Sequence, residues 1–331
     1  VKGLIEDTPV AVFRWQNRKL RELVERLSGE ENYDAIVCDF LAPAASMPDW
    51  GRMTLFQHNV EAQIWRRHAE QAKNRPRRWY MKQQARKMEI YEGRVCRAAK
   101  KVVAVSQEDA RQMETMYGLT GVPAVSTGVD YEYFQGNGSR ASGGEAFELV
   151  FVGSMDWLPN IDGANWLKEE ILPRIWAKRP QTRLALVGRK PGEAVKALAE
   201  KDGRIRVTGT VEDVRPWLKN STLSVVPLRI GGGTRLKIFE AMAAGIAVVS
   251  TPIGAEGLGL KHGETIWLGE SAEEFAVGCL KLLEEPDLCK QLSGNAKRLV
   301  REEFGWDAVT RQFEDILWGG DKATQQQRTV K

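Results

Sequence analysis

Residues 230–258, IGGGTRLKIFEAMAAGIAVVSTPIGAEGL, place the strongest constraint on how this chain can fold. The run leaves a predicted strand, passes through three consecutive glycines (231–233), enters a predicted helix at Thr234 and continues into an apolar strand at 246–250. Glycine allows positive φ and a close approach of the backbone to a ligand. The free N–H groups and dipole of the following helix N-terminus favour an anion. The run therefore predicts a strand–loop–helix unit that binds an anion.

The charged residues after the glycines make this prediction more specific. Arg235 and Lys237 lie in the first predicted helical turn, and Glu240 follows Lys237 three residues later on the same helix face. One helix can thus offer cations to a diphosphate and, about 4.5 Å further along its axis, a carboxylate to a ribose diol. A solvated Arg–Lys pair and a surface glutamate are the alternative interpretation. We favour a nucleotide-sugar site.

A regular alternation of strands and helices surrounds this run. Apolar strands are predicted at 147–153, 183–188, 204–209 and 222–227, and helices at 160–178, 193–201 and 212–219. Near-continuous apolar strands separated by amphipathic helices are typical of a parallel sheet covered on both faces, a Rossmann-like domain. Gly153, Gly188 and Gly209 fall at strand carboxyl ends, where such sheets bind ligands.

The N-terminal part of the chain has fewer predicted strands. Candidates are 35–40, 53–57, 103–106 and 123–127, with long helices between them. We expect an α/β chain with an N-terminal Rossmann-like domain at 1–134 that is truncated, a Gly/Ser-rich linker at 135–145 and a C-terminal domain at 146–305. A final helix at 306–318 is expected to cross back to the N-terminal domain.

The segments FVGSMDWLPNIDG, VTGTVEDVRPWL and GGGTRLKIFEAMAAG, in this order and spacing, resemble the donor-site motifs of retaining glycosyltransferases of family 4 (glycosyl transferases group 1). The resemblance covers most of the chain. It implies the GT-B fold, with two Rossmann-like domains facing across a cleft, and transfer of a sugar from a nucleotide-diphosphate sugar with retention of configuration. It further implies the following donor-binding residues: Gly153, Ser154, Thr210, Val211, Gly231, Gly232, Gly233, Thr234, Arg235, Lys237 and Glu240.

The chain departs from the family pattern at four points. Gly232 stands where the family has the first Glu of its Glu-x7-Glu motif, of which Glu240 is the second. Ser154 and Asp162 stand where many members have a phosphate-binding Arg and Lys, so Arg235 and Lys237 are expected to replace those cations. The family's N-terminal glycine-rich loop is missing, which leaves a catalytically silent binding module as an alternative.

His58, just after a predicted strand, is the candidate from the N-terminal domain. Alone, it would be read as a histidine capping the next helix; the resemblance implies that it hydrogen-bonds the donor sugar or a phosphate. With Arg235 and Lys237 it completes the predicted catalytic set, and Asn59 and Glu61 are expected to shape the acceptor pocket. The resemblance leaves the base open, with uracil preferred. A nucleotide-sugar epimerase on the same fold is the other alternative.

Residues 66–101 carry thirteen Lys or Arg against three Glu, although the net charge of the whole chain is only +4. Within 77–101, a predicted buried stripe consists of Met81, Ala85, Met88, Val95 and Ala99. Much of the opposite helix face is basic and consists of Arg77, Arg78, Lys82, Arg86, Arg97 and Lys100. Such a helix suits an anionic or lipid-linked acceptor, or an anionic membrane surface. An ordinary solvated face is the alternative. No recognition motif supports nucleic-acid binding.

Composition adds the remaining expectations. With 43% hydrophobic and 28% charged residues and no apolar run of about 20 residues, the chain is expected to be cytoplasmic, with peripheral attachment to the inner membrane face as an option. Its four cysteines lack C-x-x-C spacing and are expected to be reduced thiols. No Asp-x-Asp cluster accompanies the diphosphate site, so no metal or cofactor is expected. A Rossmann dehydrogenase is disfavoured, since no G-x-G-x-x-G opens either half.

Overall fold

The computed structural model describes residues 8–31, 33–72, 74–135, 146–200, 202–230 and 236–319. The chain divides into two compact units, one comprising Val1–Ser126 with Arg311–Lys331 and the other Thr127–Thr310. The described part of each unit is an α/β domain built on a parallel sheet. The α/β class predicted from the alternation of strands and helices is thus confirmed.

Unit 1 contains a three-stranded parallel sheet in the order β1-β2-β3. Its strands and helices, in chain order, are α1 (Val10–Phe13), α2 (Arg18–Glu30), β1 (Ile36–Asp39), β2 (Met53–Gln57), α3 (Glu61–Gln71), α4 (Arg75–Ala98), β3 (Lys101–Ala104) and α5 (Gln107–Tyr117). The fourth predicted strand, at 123–127, is instead an isolated bridge between Ala124 and Ala104. Pro123 within this short segment lacks the N–H group needed for a regular ladder.

The long helix α4 confirms the predicted basic helix. Ala85, Met88 and Val95 are buried, whereas Met81 and Ala99 are only partly buried. The predicted basic face is exposed throughout: Arg77, Arg78, Lys82, Arg86, Arg97 and Lys100. The buried positions follow the helical period and place α4 in a core cluster that also contains residues of the unit 1 sheet.

Unit 2 contains a six-stranded parallel sheet in the order β6-β5-β4-β7-β8-β9. Its strands are β4 (Phe147–Val152), β5 (Leu184–Val187), β6 (Ile205–Val207), β7 (Ser221–Val226), β8 (Ala247–Ser250) and β9 (Trp267–Leu268). Every residue of β5 and β8 is buried, because helices cover both faces of the sheet. The first five strands match the predicted ones within one or two residues. The short β9 has no counterpart in the prediction.

The helices of unit 2 follow the predicted alternation. They are α6 (Tyr131–Gln135), α7 (Leu158–Trp166), α8 (Leu172–Trp176), α9 (Glu193–Glu200), α10 (Arg215–Lys219), α11 (Leu236–Ala243), α12 (Ala272–Glu284) and α13 (Pro286–Leu299). A π-helical segment, Leu167–Ile171, joins α7 to α8, so the single helix predicted at 160–178 is one continuous helical stretch with a π segment in the middle. Tyr131 and Phe134 are buried in the core of unit 2, so packing of this unit begins before the predicted linker.

The last helix, α14 (Trp306–Trp318), contains the division between the two units at residue 310. Its C-terminal half belongs to unit 1, where the Phe313 ring lies 5.0 Å from the Phe56 ring and the Lys101 ammonium donates to the Ile316 carbonyl. All four cysteines are free thiols, as expected from their spacing. Burial raises the pKa of Cys38 to about 11, which keeps this thiol protonated at neutral pH.

Candidate functional site

The strand order of unit 2 marks one place in its sheet for a ligand. The chain runs from β4 outward to β6 on one side, then returns to build β7, β8 and β9 on the other side. This is the order of a dinucleotide-binding Rossmann sheet, and ligands bind beyond the carboxyl ends of the strands where the direction reverses. That point lies between β4 and β7, so the segments after Val152 and Val226 line the candidate site.

Glycines allow a close backbone approach at the end of β4. A Cβ atom on Gly188 would lie 1.7 Å from the Gly153 carbonyl oxygen, and Gly188 has a φ of +155°. A Cβ atom on Gly153 would lie 2.7 Å from Asn160 Nδ2 and 2.8 Å from Lys237 Nζ. Gly153, a predicted donor-binding residue, therefore leaves room for the side chains of two other elements at the strand end.

Lys237, in the first turn of α11, extends to this strand end. Its Nζ donates to Asn160 Oδ1 at 2.8 Å and lies 4.9 Å from the centroid of the buried Phe151 ring. Asn160 is only 2% exposed, and its Nδ2 donates to the Ser154 carbonyl oxygen at 2.8 Å. The ammonium is thus fixed over the end of β4 by a buried amide, which is a prepared position for an anion.

Glu240 lies one turn beyond Lys237 on α11 and is partly buried. Burial raises the pKa of its carboxyl, and the nearby Lys237 ammonium lowers it in part. The order of charge predicted from the sequence, a cation followed by a carboxylate on one helix, is present in the structure. The predicted residues Gly231, Gly232, Gly233, Thr234 and Arg235 lie outside the described residues, so their placement stays a prediction.

Two arginines lie beside Ser154 and Asp162, the positions at which the expected basic residues are replaced. Arg189, directly after Gly188, donates from Nε to Ser154 Oγ at 2.6 Å. Arg229, in the segment after β7, forms a two-bond ion pair with Asp162 on α7, with Nη2–Oδ1 at 2.7 Å and Nε–Oδ2 at 3.0 Å. Sequence reasoning identified Ser154 and Asp162 as positions lacking a cation, but missed both arginines.

Thr210 and Val211 follow β6, at the same carboxyl edge of the sheet. Gly209 has a φ of +73°, which turns the backbone sharply after the strand. Thr210 is exposed, whereas Val211 packs partly against the core of unit 2. The structure thus places both residues at the carboxyl edge of the sheet, in the loop after β6.

His58 belongs to unit 1 and follows β2. Its Nε2 donates to Asp39 Oδ1 at 2.7 Å, and its ring stacks on the Phe40 ring at 3.9 Å with an interplanar angle of 17°. Phe40 adopts a φ of +68°, an uncommon conformation for a residue with a large side chain. Sequence reasoning identified His58 but missed Asp39, the last residue of the neighbouring strand β1, and Phe40 directly after it, which together fix the imidazole.

A pocket of about 370 Å³ in unit 1 has Phe40 in its lining. It is lined mainly by apolar side chains, including Trp15, Leu41 and Met88, and by the Glu61 carboxyl. Burial raises the pKa of Glu61. The structure thus places Glu61, the predicted acceptor-side residue, at an apolar cavity.

Across 8–319, gaps excepted, no group of three or more His, Cys, Asp or Glu side chains is arranged to hold a metal ion. Among the helices that the structure describes, none combines the length and the apolar composition needed to cross a bilayer.

Comparison with known proteins finds a family match within the C-terminal unit. Residues 146–285 match the family model described as glycosyl transferases group 1. An uncharacterized 44.6 kDa protein from the cps region of Klebsiella pneumoniae is 26% identical over 163 residues, 47% of this chain and 42% of that protein. The D-inositol 3-phosphate glycosyltransferase of Kribbella flavida is 27% identical over 241 residues, 66% of this chain and 56% of that protein. The chain therefore spans about half the length of these relatives.

Solved structures share the fold over most of the chain. A sucrose-phosphate synthase from Thermosynechococcus elongatus superposes with a TM-score of 0.67 at 18% identity, covering 90% of this chain and 76% of that one. The Anabaena protein HepE, solved in complex with UDP and glucose, gives a TM-score of 0.65 at 17% identity, covering 90% and 80% of the two chains. The C-terminal unit thus resembles glycosyl transferases group 1 over residues 146–285, and the chain shares the GT-B fold of these solved structures.

Proposed function

We propose that this chain binds a nucleotide-diphosphate sugar in unit 2 and transfers the sugar to an acceptor hydroxyl with retention of configuration. One observation carries the proposal: Lys237 Nζ is held over the end of β4 by Asn160, with Glu240 one helical turn beyond. A fixed cation followed by a carboxylate, at the point where the strand order reverses, matches the order of diphosphate and ribose in a nucleotide.

The diphosphate is assigned to Lys237, the N-terminal turn of α11 and the glycine segment before it. Arg189 and Arg229 add positive charge around Ser154 and Asp162, where the family's usual cations are replaced. Transfer breaks the bond between the anomeric carbon and the β-phosphate oxygen, and the diphosphate leaves with the electron pair. Lys237 and Arg235 are proposed to stabilise this charge, which is why the proposal includes no metal ion.

Glu240 is proposed to accept hydrogen bonds from the ribose hydroxyls. The loop with Thr210 and Val211 is proposed to contact the base through its backbone. Uracil is preferred, and the structural similarity to a protein solved with UDP and glucose supports this choice. His58, oriented by Asp39 and Phe40, is proposed to hydrogen-bond the sugar or a phosphate during transfer.

The contribution of Arg229 can be tested by substitution. Replacing Arg229 with alanine should weaken UDP binding about 3- to 10-fold, since a partly exposed cation contributes about 1 kcal/mol. Arg204→Ala is the matched control, because Arg204 forms a similar ion pair with Asp202 beside β6. Calorimetric titration with UDP measures both. Equal affinities of the two variants for UDP would show that Arg229 does not contribute to nucleotide binding.

The acceptor is proposed to be anionic or lipid-linked, and the exposed face of α4 to contact an anionic membrane surface. On this face Trp79 is 57% exposed and Ile90 53% exposed, among exposed basic residues that include Lys82 and Arg86. Apolar side chains surrounded by cations match the interface between headgroups and acyl chains. This placement would keep the protein at the cytoplasmic membrane face.

Substitution on α4 tests the membrane proposal. Arg86→Ala should lower the partition coefficient on phosphatidylserine-containing vesicles about fivefold, since each basic residue near the surface contributes about 1 kcal/mol. Arg174→Ala, an exposed arginine of α8, should leave partitioning unchanged. Vesicle sedimentation measures the partitioning. The wild-type protein remaining in the supernatant with anionic vesicles would contradict the proposal.

The transferase proposal is tested by incubating the protein with a panel of nucleotide sugars and candidate acceptors, and identifying every product. A sugar–acceptor conjugate with the donor's anomeric configuration supports the proposal. A product inverted at C2 of the sugar would identify an epimerase instead. Binding of the donor without any product from the panel would favour a binding module.

A further inference from the structure

Glu92, in the middle of α4, is a buried carboxylate surrounded by hydrogen-bond donors. Its side chain is 0% exposed. Oε1 accepts from Gln57 Nε2 at 2.7 Å and from the Glu61 N–H at 2.9 Å. Oε2 accepts from the Ala62 N–H at 2.8 Å and from the Tyr117 hydroxyl at 2.7 Å. Packing of a helix against its neighbours does not by itself require a buried carboxylate with four hydrogen-bond donors.

Three of these donors flank His58 in the chain. Gln57 ends β2, and Glu61 and Ala62 begin α3, so the carboxylate is bonded on both sides of the three-residue segment that contains His58. The residue at the N-cap of α3 is Val60, whose side chain makes no capping hydrogen bond. Glu92 therefore supplies from another helix the acceptor that the first N–H groups of α3 need.

The charge state of Glu92 is consistent with this role. Burial is the largest influence and leaves its pKa raised to about 7, although the hydrogen bonds from Tyr117, Ala62 and Glu61 act in the opposite direction. These donors therefore favour the ionised carboxylate. A fully buried carboxyl group that loses hydrogen-bond partners costs free energy in either charge state, so the four hydrogen bonds favour one conformation of the segment.

We infer that Glu92 is a positioning residue that fixes the 58–60 segment and thereby the His58 imidazole against Asp39 and Phe40. This inference rests on the role proposed above for His58 in sugar transfer. Glu92 does not contact substrate; it acts through the backbone on either side of the histidine. Its hydrogen bonds to β2, α3 and α5 thus set the orientation of the His58 ring.

The test compares Glu92→Gln with Tyr117→Phe. Glutamine has one acceptor oxygen and places an amide donor against the remaining donors, so at least one backbone N–H of α3 loses its partner. Tyr117→Phe removes a hydrogen bond from the same carboxylate but leaves both flanks of His58 bonded. It therefore serves as the control for a loss of stability alone.

The readout is the NMR signal of the histidine rings. The chain has only three histidines, His58, His68 and His262, and His58→Ala assigns the first signal. In Glu92→Gln we expect the ring signals of His58 to shift, with those of His68 and His262 unchanged, and a smaller shift in Tyr117→Phe. We also expect kcat to fall about 2- to 10-fold, as for one lost hydrogen bond, with the Kd for UDP unchanged.

The outcomes separate this inference from the proposed function. An unchanged His58 signal in a folded Glu92→Gln protein overturns the positioning role, and so does a shift no larger than that of Tyr117→Phe. If Glu92→Gln does not fold, the comparison of wild type with Tyr117→Phe and with Gln57→Ala, which removes one flank only, decides the same question. A shifted His58 signal in a protein that transfers no sugar would contradict the transferase proposal alone.

Discussion

Lys237→Ala should weaken UDP binding by roughly 10- to 150-fold, since a hydrogen bond to a charged group contributes about 1.5–3 kcal/mol. The ammonium lies over the end of β4, where Asn160 and the space above Gly153 fix its position. Because Asn160 already holds the ammonium in place, little of this interaction should be lost to ordering. Calorimetric titration with UDP measures the effect.

A comparison of UDP with uridine shows which part of the nucleotide Lys237 contacts. Lys237→Ala should reduce the affinity for UDP far more than the affinity for uridine, which lacks the diphosphate. Lys261→Ala is the matched control, because Lys261 is an exposed lysine that pairs only weakly with Glu264 at 3.6 Å. A Lys237→Ala protein that binds UDP as tightly as the Lys261→Ala protein would show that Lys237 does not bind the diphosphate.

Glu240→Ala should weaken UDP binding roughly 10- to 100-fold, because the charged Glu240 carboxylate would accept hydrogen bonds from two ribose hydroxyls. Because burial raises the pKa of Glu240, wild-type affinity should also decline as the pH falls through this raised value. The carboxylate is the form that accepts from a diol, so its protonation removes the interaction. The effect should therefore begin at a higher pH than for an exposed glutamate.

A double comparison assigns Glu240 to the ribose. Wild-type protein should prefer UDP over 2′,3′-dideoxy-UDP, and Glu240→Ala should bind both with the same affinity. Glu256→Ala, in the loop beyond β8, is the control for a change in charge on this side of unit 2. If the variant retains the full preference for UDP, the ribose is held by another residue.

The sheet of unit 2 could be predicted because its strands are buried on both faces. Near-continuous apolar runs such as those of β5 and β8 are read directly from the sequence, and the intervening helices show the amphipathic period. The same regularity predicted that Gly153 lies at a strand end, and Lys237 and Glu240 at adjacent turns of one helix. These relations depend only on local geometry.

The contacts of the site could not be predicted in the same way. Arg189 and Arg229 reach Ser154 and Asp162 across 35 and 67 residues of chain, and nothing local in the sequence couples those positions. Both arginines do follow strand ends, which is the signal that could have identified them. Asn160 reads as an ordinary helix residue, yet its burial is what orients Lys237. Glu92 likewise reads as one acidic residue on a basic helix.

Lys237 and Glu240 are the residues through which we propose that unit 2 binds a nucleoside diphosphate. Calorimetric titration of UDP into the wild type, Lys237→Ala, Glu240→Ala and Lys261→Ala proteins tests it most directly. We expect one site per chain, weaker binding by Lys237→Ala and Glu240→Ala, and wild-type affinity in Lys261→Ala. Absence of UDP binding to the wild type, or equal binding by all four folded proteins, would contradict it.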